Sequence, residues 1–118
     1  MTITGNENLL KGNSSSITGN QNILIGNNHT VVGDKNQLNG TTNQINGQFN
    51  NVGGSDNIVN GNVNEVFGDK NNLNGSINKV YGNENLLNGN ENKVAGNQNT
   101  LNGNVNVVKG SENTLNGN

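Results

Sequence analysis

Residues 89–103 read Gly89-Asn90-Glu91-Asn92-Lys93-Val94-Ala95-Gly96-Asn97-Gln98-Asn99-Thr100-Leu101-Asn102-Gly103, and they contain the unit from which the whole chain is built. Glycine returns after seven residues, an aliphatic residue stands two places before each return, and an asparagine stands two places before that. Extended outward, the frame places Gly at every seventh position from Gly5 to Gly117 without an insertion or deletion, giving sixteen complete heptads. With Gly as position 1, position 6 is aliphatic in all sixteen, from Leu10 to Leu115. Position 4 is Asn except at Ser15 and His29, and position 2 is Asn, Asp, Ser or Thr except at Gln48.

A seven-residue period also suits a coiled coil, but that requires two apolar positions per heptad and strong helix formers. One Gly per heptad costs a helix about 1 kcal/mol each time, and sixteen such costs exclude it. Positions 4 and 6 are two apart, so in an extended segment their side chains point the same way, while 5 and 7 point the other way. Each heptad therefore predicts a short strand, then a tight turn at Gly and its polar neighbour, residue types that tolerate positive φ. A prion-like disordered tract shares the bulk composition of 34 Asn and 18 Gly, yet needs no such periodicity.

Stacking these units in register predicts an all-β fold, a β-solenoid with rungs about 4.8 Å apart. Position 6 forms its hydrophobic column and position 4 an inward amide ladder, each carboxamide bonding neighbours above and below or the turn backbone. The outward positions divide by parity. Lys11, Glu65, Lys79, Lys93 and Lys109, with Phe67 and Tyr81, all fall in the odd heptads, whereas position 7 of the even heptads is Asn six times running, from Asn46 to Asn116. One heptad per side, fourteen residues per coil, explains this; three heptads per coil would scatter it. The expectation is a single domain, 1–118, of about eight two-sided coils forming a slab roughly 38 Å long at about 4.8 Å per rung.

The even face then carries, coil by coil, Ser16 and Thr18, Thr30 and Val32, Gln44 and Asn46, Ile58 and Asn60, Asn72 and Asn74, Leu86 and Asn88, Thr100 and Asn102, Thr114 and Asn116. It is expected to be flat, uncharged and amphiphilic, spaced about 4.8 Å between coils and about 6.6 Å along each strand. Such a grid can order water or match a repetitive solid.

Other classes fit less well. A net charge of -2 with six basic residues argues against nucleic-acid binding, which needs clustered Lys and Arg. No apolar run reaches six residues, so the chain shows neither a membrane span nor a signal peptide. The absence of Cys excludes thiolate metal sites, and Asp34, Asp56 and Asp69 stand too far apart for calcium. Stacked identical turns make no cleft for an enzyme, and His29 occupies a ladder slot. No cofactor or metal is expected.

The unbroken N-x-Φ-x-G repeat, as in Asn92-Lys93-Val94-Ala95-Gly96 and Asn99-Thr100-Leu101-Asn102-Gly103, resembles the ryegrass-type antifreeze and ice recrystallisation inhibition proteins of grasses along the whole chain. The resemblance implies a left-handed two-sided β-roll with fourteen or fifteen residues per coil, an internal valine core, internal Asn ladders and one flat face that adsorbs to ice. It implies the ice crystal surface as the partner of a monomer, and an extracellular, apoplastic location. The chain departs from the family at position 7, where Asn replaces Thr, Ser or Val from Asn46 onward; Asn is longer, more mobile and more strongly hydrated. The expected function is ice binding through the even face. The alternative is a structural solenoid that assembles end to end, since neither terminus shows a cap.

Overall fold

The computed structural model describes residues 1–118 and contains only strands and turns. Seventeen short strands form two parallel sheets, one of nine strands and one of eight. Consecutive strands alternate between the sheets, so each pairs with the strand fourteen residues on. Glu65, Val66 and Phe67 pair with Lys79, Val80 and Tyr81 in the odd sheet, and Asn72, Leu73 and Asn74 with Leu86, Leu87 and Asn88 in the even one. The protein is thus the expected β-solenoid of about eight 14-residue coils, measuring 39 × 19 × 13 Å.

Position 6 forms one buried cluster of fourteen side chains, from Ile17 to Val108. Leu10 and Leu115 of the same column are only partly buried, because the end coils have a neighbour on one side alone. Residues 2–4, which the heptad frame left outside the repeat, form a ninth rung on the even sheet. Thr2, Ile3 and Thr4 pair with Ser16, Ile17 and Thr18, and the Thr2 N–H donates to the Ser15 carbonyl at 3.0 Å. Those three residues occupy positions 5, 6 and 7 of an incomplete heptad.

The turn differs from the expected one at a single residue. The column glycines take positive φ, but the second left-handed residue is position 3, at φ 56° to 62° in all sixteen heptads, and not the polar residue at position 2. Position 2 serves instead as a second ladder. The Asn6 N–H donates to Asn20 Oδ1 at 2.9 Å, Asp69 to Asn83 at 2.8 Å and Asn90 to Asn104 at 2.8 Å. A short side chain with an acceptor oxygen is what this bond requires, which explains the prevalence of Asn, Asp and Ser; Thr41 instead donates its hydroxyl to Ser55. Left-handed backbone costs an L-residue about 1–2 kcal/mol, and β-branched residues fit it worst. Hydrogen bonds in register from coil to coil hold it in place.

The two rows of turns form the long edges of the slab. On the edge leading from the even sheet to the odd, position 3 is Glu7, Gln21, Lys35, Phe49, Val63, Ile77, Glu91 and Val105. The opposite edge carries no apolar side chain at that position, from Ser14 to Glu112.

Candidate functional site

All sixteen residues assigned to the even face lie on the nine-stranded sheet with their side chains outward, alternating with the buried position-6 residues. Each is exposed except Thr100, which is half-buried. The pairings set them in two continuous rows, one through Ser16, Thr30, Gln44 and Ile58 and the other through Thr18, Val32, Asn46 and Asn60. The strand Thr2–Thr4 adds Thr2 and Thr4 to these rows, two residues the heptad frame missed. Hydroxylated and β-branched side chains therefore concentrate at the N-terminal end, through Thr2, Thr4, Ser16, Thr18, Thr30 and Val32. Between Thr30 and Asn60 the two rows border a shallow depression whose floor is Ile45.

Three of the six position-7 asparagines of this face, Asn88, Asn102 and Asn116, are less mobile than their length suggests. Asn88 Nδ2 donates to Asn102 Oδ1, and Asn102 Nδ2 to Asn116 Oδ1, each at 3.1 Å. The parallel register holds these amides one above another, and each bond fixes a χ2 that is free in an isolated Asn. Sequence alone shows the column of identical residues but not that the rotamers agree.

Rigidity beneath the sheet comes from the position-4 ladders. Asn71 donates its backbone N–H and its Nδ2 to Asn57 Oδ1, both at 3.0 Å, and its second Nδ2 hydrogen to the Gly82 carbonyl at 2.8 Å. Its own Oδ1 accepts the backbone N–H and Nδ2 of Asn85 at 3.1 and 3.0 Å. Both alternatives expected for the carboxamide, ladder and turn backbone, are satisfied at once. No buried side-chain nitrogen or oxygen lacks a partner.

His29 replaces one amide of the even ladder. Its Nδ1 accepts the Asn43 N–H at 3.3 Å, which places the ring proton on Nε2, 3.3 Å from the Ile25 carbonyl. Burial lowers its pKa below the ordinary value of 6.5, partly offset by hydrogen bonds to the Ile25 and Gly40 carbonyls. Protonation would set a second donor against the Asn43 N–H. The native state thus holds His29 neutral while the unfolded chain protonates it normally, so this contribution to stability is complete above 6.5 and declines as pH falls toward the depressed native value. Thermal unfolding should accordingly move to lower temperature between about pH 7 and about pH 5. His29→Asn, which restores the ladder between Ser15 and Asn43, should remove that dependence.

The odd sheet is chemically different. Glu65 receives the Tyr81 hydroxyl and lies 3.0 Å from Lys79 Nζ, and the Phe67 and Tyr81 rings stack with centroids 5.7 Å apart. The Tyr81 hydroxyl, ahead of the Lys79 ammonium, holds the Glu65 carboxyl below the usual carboxylate range. This side therefore carries charges and aromatic rings where the even side carries hydroxyls, amides and aliphatics. Nowhere do three or more His, Asp or Glu side chains converge as a metal site requires.

A search of curated proteins finds no match. The family model described as grass antifreeze beta roll matches residues 1–75, more than half of the chain. The Gly and aliphatic columns continue through the remaining coils without a change of period. By this match and by its two-sided stack of 14-residue coils, the chain belongs to the grass antifreeze β-roll family.

Proposed function

We propose that this protein adsorbs to ice through the even face and so inhibits ice recrystallisation. The observation that carries the reading is the pair of in-register rows on the nine-stranded sheet, uncharged over their full length, in a chain of the antifreeze family. Adsorption pins the growing crystal surface and stops small crystals from merging. Each Thr, Asn or aliphatic contributes little alone. A flat face held rigid by amide ladders loses little conformational entropy on binding, so many weak contacts add up. The extracellular location common to an antifreeze role belongs to the same reading, and no helix is long and apolar enough to cross a membrane.

The test is crystal growth in an annealed frozen film at micromolar protein, beside an equal mass of an inert protein. Persistently small crystals support ice binding. Coarsening as in the control would put the structural, self-assembling solenoid first. Substitution then maps the face. Thr100→Tyr places a protruding ring in one of the two rows, one coil from its C-terminal end, and should raise the protein concentration needed by about tenfold, equivalent to about 1.4 kcal/mol of adsorption. Lys93→Tyr, on the odd sheet, should change it little, with the β-sheet circular dichroism of both variants unaltered. The reverse order of effects would transfer the site to the odd sheet.

A further inference from the structure

The edge leading from the even sheet to the odd breaks a local rule. Phe49, Val63 and Ile77 stand in consecutive coils at φ 58°, 59° and 62°, a region that suits Asn or Gly, and they are 52%, 53% and 54% exposed. Apart from the Lys35 ammonium over one face of the Phe49 ring, all three lie open to solvent. Apolar residues that are both strained and wet, on one edge only, mark a surface retained for a contact.

The charges beyond this stripe identify the occupant. Position 3 reads Lys35, Phe49, Val63, Ile77, Glu91 in five successive coils, a cation and an anion at equal distance on either side of Val63. Lys35 Nζ sits 5.1 Å from the centre of the Phe49 ring, at the end of the stripe. We propose that this edge binds a second copy of the chain, antiparallel, about a twofold axis at Val63. The axis sets Phe49 against Ile77 of the partner subunit and Lys35 against Glu91 of the partner subunit, each contact occurring twice, as an isologous interface requires. A parallel pair would oppose Lys35 to Lys35 and Glu91 to Glu91. One step further out, Gln21 meets Val105, without charge. Glu65, which lies beside the axis on the odd sheet, is already engaged by Lys79 and Tyr81.

The symmetry has a geometric consequence. A twofold axis normal to the sheets turns the second slab end for end without turning it over, so both even faces look the same way and lie side by side. The pairing stands apart from the ice-binding reading; only this doubling of the adsorbing area rests on it. It replaces the monomer expected from sequence. Three apolar side chains from each copy and two exposed ion pairs in all make a contact well below the size of a stable interface, so the pair is weak in solution. Adsorption of both copies in one plane raises their effective concentration.

Sedimentation equilibrium in low salt, from about 10 µM to about 1 mM, tests this without ice, the range in which so small a contact dissociates. The expected result is a reversible monomer–dimer equilibrium. K35E and E91K should each weaken it about tenfold by turning two attractive contacts repulsive, and K35E/E91K should restore it. V63N relieves the strained backbone, so it should melt higher than the parent while remaining monomeric, which separates loss of contact from loss of fold. The chain has no cysteine, so F49C mixed with I77C should oxidise to the mixed disulfide in preference to either homodimer. A monomer at every concentration, failure of the double exchange to rescue, or preferred F49C homodimers would each overturn the proposal. Open-ended oligomers indifferent to K35E would also overturn it, in favour of end-to-end stacking. If the dimer forms but the frozen film coarsens, the pairing survives and the ice-binding reading falls.

Discussion

Gly68→Ala is expected to abolish the folded state. The added Cβ would lie 1.9 Å from the carbonyl oxygen of Gly82 in the next coil and 2.7 Å from its carbonyl carbon. Both atoms are backbone, so no rotamer change relieves the contact, and φ of +137° is itself unfavourable for any residue with a Cβ. The neighbouring coil must move away, which breaks the register of both sheets, because each coil contributes a strand to each. A domain of this size has about 5–15 kcal/mol to lose, and backbone interpenetration in mid-stack exceeds what local adjustment can absorb. Gly117→Ala is the internal control. No atom lies within 4 Å of the added Cβ there, leaving only backbone strain at φ +125°, about 1–2 kcal/mol. Circular dichroism at 20–25 °C should show disordered chain for the first variant and native β-sheet for the second, with ice activity following the fold. A folded Gly68→Ala would mean that the coils are less tightly spaced than the structure has them.

Asn71→Leu should have the second-largest effect, although it replaces a buried residue by an apolar one of similar size. Without the carboxamide, the Asn85 N–H and the Gly82 carbonyl lose the bonds they make at 3.1 and 2.8 Å. Two buried main-chain groups left unpaired cost about 1–3 kcal/mol each, so the variant should lose about 2–6 kcal/mol. Asn113→Leu offers the comparison. Asn113 closes the same ladder, donating to Asn99 at 3.0 and 2.9 Å with no later coil depending on its Oδ1, and it is only part-buried. Its replacement should cost less than half as much in the denaturant midpoint at unchanged slope. Equal losses would indicate that the ladder is stabilised by apolar packing and not by its hydrogen bonds.

These two substitutions bear on why the fold was readable from one chain. Every coil repeats the same demands, so the sequence states each of them sixteen times. The Gly column, the aliphatic column and the Asn column identify the turn, the core and the ladder, and the parity of the charges divides the chain into two sides. His29 and Ser15 are visible as departures because the rest of their column is uniform. The outward rows of the even face follow from strand alternation, so that sixteen of their eighteen members were legible in the sequence. The ice-binding role was legible by resemblance, which the family match supports.

What was not legible concerns contacts between coils that obey no residue-level preference. Asn and Asp favour left-handed backbone, which points to position 2 as the turn residue, whereas the interval of fourteen residues gives its oxygen a backbone N–H to accept from, as Asn20 does from Asn6. Left-handed backbone fell to position 3, which accepts even Val63 and Ile77, because the stacked hydrogen bonds override intrinsic propensity. Thr2 and Thr4 joined the face because an exposed sheet edge accepts any extended segment in register, including an incomplete heptad. The sequence by itself determined the period, the core column and the composition of both faces, since each is a repeated local pattern. Only the tertiary structure decided which side-chain oxygen serves which coil and which apolar residues remain uncovered at the edge, because both depend on the spacing and direction of neighbouring coils.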